Sequence, residues 1–243
     1  MGKTKESKQM SGKEFVLKAE DALNKHMEKI HTNVFWTSLV NTPEDVPESV
    51  YHGMCVENYH LLFRESYFDS PVLAYPAYRD IREKMNEFYC EEIGHDNILL
   101  EALNFIGISR DDLYSSVPLQ ATSALYNTLS YWARYDPIFF FLTLGPLEGS
   151  DVAEDSYIQA MRKKGMAEEF IDPILSHAKI NADSEHGQLT REIFACIPHI
   201  SVQEAERVIN QLPLFVDVYD RFYSGIWDYY SQHTIKQRAI SQF

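Results

Sequence analysis

Two capping boxes constrain this chain more than any other feature. Ser11-x-x-Glu14 and Ser201-x-x-Glu204 have the form in which a serine oxygen and a glutamate satisfy the unpaired N–H groups of a helix start, so long helices begin near 12 and 202. Between them there is no sustained apolar/polar alternation and no Asn-Gly or Asp-Gly between β-branched runs, the signals that strands and hairpins leave. The predicted class is all-α.

Breakers divide the interior. Pro47 opens a helix to about Phe68, Pro76 another to about Ile106 before Gly107, and Ser109 a short one. A segment near 119–135 ends at Asp136-Pro137, the apolar run Ile138 to Leu144 is interrupted by Gly145-Pro146, and further helices cover 151–163 and 168–197. There is no Gly/Ser-rich or Pro-rich linker and no repeat of fixed period. Residues 11–243 therefore read as one helical domain, and the polar residues 1–10 as a mobile tail.

With 45% apolar residues the chain can bury a real core. Its 36 acidic and 22 basic residues give a net charge of −14, which argues against nucleic acid or an anionic membrane as partner. Cys55, Cys90 and Cys196 are too few and too scattered for a disulfide framework and fit a reducing cytoplasm. The first residues lack the apolar stretch of a secretory signal, and the longest apolar run falls far short of the roughly 20 residues that span a bilayer. A cytoplasmic location is expected.

Four histidines have an acid three positions earlier: Glu28/His31, Glu57/His60, Glu92/His95 and Asp183/His186. On a helix, positions i and i+3 share a face, so carboxylate and imidazole can point at one place. Carboxylate-bridged di-iron sites in helical bundles need that spacing: a Glu from each of two helices and an acid-x-x-His pair from each of two others. The chain can supply Glu92/His95 and Asp183/His186 as pairs, with Glu57 and Glu148 as single carboxylates. Four carboxylates neutralise two ferrous ions, and hard oxygen ligands with two imidazoles suit iron or manganese. Glu28/His31, in a lysine-rich first helix, reads as a solvated face.

At these residues the sequence resembles the heme-oxygenase-like diiron oxidases and oxygenases, relatives of thiaminase II and pyrroloquinoline-quinone synthase. The resemblance lies in Glu57-Asn58-Tyr59-His60, in Glu91-Glu92-Ile93-Gly94-His95-Asp96 followed by Leu100 to Gly107, in Leu147-Glu148-Gly149, and in Asp183-Ser184-Glu185-His186-Gly187. It implies a bundle of about seven helices that binds two irons through Glu57, Glu92, His95, Glu148, Asp183 and His186. It further implies dioxygen as co-substrate and a small organic acid or amine as substrate. One departure stands out: several family members carry a histidine one turn before the third-motif aspartate, where this chain has Lys179. His177, two residues displaced, would point about 200° away on a regular helix. Lys179 and Arg64 are candidate contacts for a substrate carboxylate, and His60 a candidate partner that orients a metal ligand.

Other readings remain. A metal-free enzyme of the same fold would use a cysteine nucleophile, with Cys90 the nearest candidate. Heme could bind through His26 or His31. A non-catalytic helical binding protein is a further alternative. The aromatic terminal helix, with Phe215, Tyr219, Phe222, Trp227 and Tyr230, either fills the core or pairs two chains, and a homodimer is expected.

Overall fold

The computed structural model describes residues 9–75, 78–148, 151–183 and 186–235, and for 151–155, 181–183 and 186–187 their backbone alone. The all-α class holds: twelve α-helices, α1 to α12, and two short 3-10 turns account for about four fifths of the described residues. Ser11 caps α1 (Gly12–His31) with both hydrogen bonds of the capping box in place. Ser201 caps α12 (Val202–Tyr230), accepting from the Glu204 N–H. Just before these two helices, Gln9–Met10 pairs antiparallel with Ile200–Ser201. The last two residues of the expected tail are thus hydrogen-bonded into the fold, and residues 1–8 lie outside those described.

The helices are shorter and more numerous than expected because the chain bends where single residues demand it. α2 (Val34–Asn41) follows α1 after Asn33, whose side chain accepts from Phe35 N–H. The stretch opened by Pro47 is α3 (Glu48–Leu62) followed by 3-10 turns at Glu65–Tyr67 and Ser70–Ala74. The helix expected to reach Ile106 breaks into α4 (Arg79–Glu92) and α5 (His95–Phe105) at Gly94, whose φ of +99° lies in the left-handed region that favours glycine. After the short α6 (Arg110–Ser115) and α7 (Gln120–Tyr135), α8 (Pro137–Glu148) runs through Gly145-Pro146 instead of stopping there. α9 covers Asp151–Lys164, and the expected 168–197 helix is α10 (Glu168–Asp183) and α11 (His186–Ala195).

α3 packs against α5, α7 and α12, and α5 also against α10. Gly53 lets α12 approach α3, since a Cβ there would stand 2.2 Å from the Tyr230 ring. The aromatic run of the eighth helix is core: Phe139, Phe140 and Phe141 are fully buried, while Tyr131 and Tyr135 of α7 are exposed. Phe215, Tyr219, Phe222 and Tyr230 are likewise buried within the one chain. Of the two alternatives for these aromatics, four of the five fill the core, and Trp227 is partly buried against it. No described helix is long and apolar enough to cross a membrane.

Candidate metal centre

Four carboxylates gather where helices end. Glu65 begins the first 3-10 turn after α3, Asp69 immediately precedes the second, Glu92 is the last residue of α4, and Glu148 is the last of α8. Glu65, Asp69 and Glu92 are buried, at 5%, 1% and 2% exposure, where an isolated charge is costly. Burial first, and then the charges of Asp69, Glu92 and Glu148, hold the Glu65 carboxyl well above the usual carboxylate range. Burial and Glu92 do the same to Asp69. Both Asp69 oxygens are sealed from solvent with no hydrogen-bond partner among the described residues.

Two imidazoles join them. His95, first residue of α5, brings Nδ1 to 2.6 Å from Glu92 Oε2, in a geometry that is not a hydrogen bond. A carboxylate oxygen and an imidazole nitrogen at this separation form an ion-pair contact and converge on one place, as two donors to a shared cation would need to. His177 of α10 meets His95 edge to face, ring centroids 5.1 Å apart. The i, i+3 reading of the acid-x-x-His pair is therefore corrected: Glu92 and His95 meet across a left-handed glycine, not along one helix face. Asp183 and His186 also end one helix and begin the next, but their side chains lie outside the described residues.

Glu65, Glu148 and His177 line a cavity of about 110 Å³ whose other walls are mostly leucine, isoleucine and aromatic side chains. Among the described residues no three of His, Cys, Asp and Glu converge tightly enough to hold an ion by themselves. In charge and donor type the cluster nevertheless fits a hard cation: buried carboxylates that raise one another's pKa, an aspartate without a hydrogen-bond partner among the described residues, and nearby imidazoles.

Glu57 is elsewhere. Its Oε1 accepts from Tyr230 Oη at 2.8 Å, and its Oε2 from Leu119 N–H at 2.9 Å and Thr122 Oγ1 at 2.5 Å. Expected as a metal ligand, it braces α3 to α7 and α12. Nor does His60 orient it: Arg64 Nη1 donates to His60 Nδ1 at 3.1 Å, so the proton on Nε2 faces Ser116 Oγ at 2.9 Å. Arg64 also donates to the His60 carbonyl and lies over the Phe63 and Tyr126 rings, 5.6 and 5.5 Å from their centroids. Lys179 is exposed. Neither cation lines the cavity. Cys90 is exposed, and Cys55 is buried with its thiol pushed up by burial. His26 and His31 are exposed on α1.

The sequence reading missed Glu65, Asp69 and His177. The available signal was an acid pair at i and i+4 directly after an apolar helix, and a histidine one and a half turns before Asp183.

No protein-family model matches the sequence, and no curated protein matches it. Solved structures do match in shape. A domain of unknown function with a heme oxygenase-like fold from Shewanella denitrificans superposes with TM-score 0.75 at 19% identity, over 93% of this chain and 96% of that one. A TenA homologue from Pseudomonas syringae gives 0.66 at 11% identity over 88% and 93%. Heme oxygenase-2 from Synechocystis, solved with heme and NO, gives 0.65 at 10% identity over 88% and 85%. The chain has the heme-oxygenase-like fold.

Proposed function

We propose that the chain is a non-heme di-iron oxidase or oxygenase that uses dioxygen to oxidise, cleave or decarboxylate a small organic metabolite. The observation that carries this reading is the buried cluster of Glu65, Asp69, Glu92 and Glu148 beside His95 and His177, opening on an apolar cavity. Two ferrous ions, or manganese, would supply the activation of dioxygen there. Glu92, His95 and Glu148 would hold the metal; Asp183 and His186, expected as further ligands, have side chains outside the described residues. Glu65 and Asp69 replace Glu57 as the additional carboxylates. The leucine and aromatic walls keep water from the reacting centre, and Glu57, held by three donors, fixes α3 beneath it.

A metal-free enzyme of TenA type is supported by the same fold but lacks a thiol at the cavity among the described residues. Its activity would survive chelators. Anaerobic Fe(II) titration separates the two. Uptake of about two irons per chain is expected, lost in His95→Ala and Asp69→Ala. Uptake far below that, unchanged by both substitutions, would remove the di-iron reading.

A further inference from the structure

We propose that the cavity recognises the carbonyl-type oxygen of a small molecule, a ketone, amide or carboxylate, through a hydrogen bond donated by the Trp36 indole N–H. The donor stands on α2, and it belongs to no part of the acidic cluster. That the molecule held is also the one oxidised rests on the function proposed above; that an accepting oxygen is held does not.

The polar groups of the cavity wall differ in what they still have to offer. Glu65, Glu148 and His177 belong to the candidate metal centre. Tyr157 donates its hydroxyl to the Tyr51 carbonyl at 2.6 Å, and the Tyr223 hydroxyl donates to Tyr219 Oη at 2.8 Å. Asn58, half-buried, carries both a donor and an acceptor and so selects neither kind of group. Trp36 differs from all of these. It lines the cavity at 8% exposure, and its Nε1 is sealed from solvent with no hydrogen-bond partner among the described residues. An indole nitrogen donates and never accepts, so only an acceptor can satisfy it. Buried donors without partners are rare in native proteins, because each has given up its hydration for nothing. A carbonyl or carboxylate oxygen supplies the acceptor and brings no donor of its own at that atom.

The donor is also held in place before any ligand arrives. Phe35 meets the Trp36 ring at 85° with centroids 5.1 Å apart, and Tyr223 meets it at 67° and 5.1 Å. Tyr223 is itself tied to Tyr219 by the hydroxyl pair. A ring fixed by two neighbours presents its N–H in one direction, so little ordering is left for binding to accomplish. The volume of about 110 Å³ is smaller than the roughly 150 Å³ engineered cavity known to hold benzene, so the portion of the ligand that enters is about six heavy atoms.

Cyclopentanone and methylenecyclopentane, alike in shape and differing in C=O against C=CH₂, test the hydrogen bond directly. In chelator-treated protein the Trp36 indole proton resonance is expected to move downfield with the ketone and not with the hydrocarbon. By calorimetry, Trp36→Phe should weaken cyclopentanone about tenfold and leave methylenecyclopentane within about twofold. Trp36→Leu repeats the comparison, circular dichroism confirms that each variant folds, and the resonance shift in the parent protein needs neither variant. A resonance unmoved by the ketone, as a trapped water already on the N–H would give, overturns the proposal. So do equal losses for ketone and hydrocarbon in a folded variant, or no binding of the ketone at millimolar concentration. Because no metal is present in these measurements, a failed iron titration removes the proposed function and leaves the Trp36 site standing, and a failed ketone shift does the reverse.

Discussion

Glu57 and Asp69 are carboxylates twelve residues apart, at 0% and 1% exposure, and the fold treats them in opposite ways. Around Glu57 it places three donors, two side-chain hydroxyls and a backbone N–H, from helices far apart in sequence. Around Asp69 it places another carboxylate, Glu92, and no donor among the described residues. The first arrangement is complete and stabilises the fold; the second is costly until positive charge arrives. Burial of an acid is thus not by itself a functional signal. What separates brace from binding site is whether the protein itself supplies the partners.

Substitutions at the two sites should therefore act in opposite directions. Glu57→Ala leaves the Thr122, Tyr230 and Leu119 donors buried without an acceptor and is expected to cost about 3–5 kcal/mol in urea unfolding; a loss below about 1 kcal/mol would break the contrast. Next in size, Gly94→Ala forces a side chain into φ +99° and should cost about 1–2 kcal/mol. Because that residue joins Glu92 to His95, Mn(II) affinity should fall by more than stability does, measured by parallel titration and unfolding.

Asp69→Asn should move the other way, stabilising metal-free protein by about 1 kcal/mol near pH 8 while weakening ion binding. Its pH dependence sharpens the point. With the Glu65 and Asp69 carboxyls raised above 4.5 and 3.8, the folded state holds more protons than the unfolded one above those values. Stability contributed by these groups is full below about pH 4 and is lost as pH rises through the raised values, the reverse of a salt-bridged acid. Unfolding midpoints across that range should fall less steeply in Asp69→Asn, and a slope identical to the parent would refute the assignment. The smallest effect belongs to Lys179→Ala, expected within about 0.5 kcal/mol of the parent and without change in ligand binding, as for other exposed positions.

The class and both long-helix starts were legible because capping is local: Ser11 and Glu14 bond each other whatever the rest of the chain does. Glu92, His95 and Glu148 were legible as residues but not as geometry. Gly94 reads in sequence as a modest cost inside a helix, whereas its left-handed backbone is the hinge that brings the pair together. Glu65 and Asp69 escaped notice because 3-10 turns carry no long periodicity to search. The hydrogen bonds that hold Glu57 left no trace in the sequence, because an acid on an apolar helix looks the same whether it faces an ion or a hydroxyl. Its partners Thr122 and Tyr230 stand 65 and 173 positions away, beyond any local pattern.

That last separation has a consequence for the order in which the molecule comes together. Tyr230 reaches Glu57 with its hydroxyl and takes the Ser49 hydroxyl on its carbonyl, and its ring lies against Gly53. The floor of α3 is thus finished by a residue 173 positions further along the chain. While the chain is still being synthesised, a buried glutamate has one of its three donors missing until α12 has emerged. Because Tyr219, Phe222 and Tyr223 of the same helix wall the cavity, its closure waits for α12 to dock and is a late event in folding.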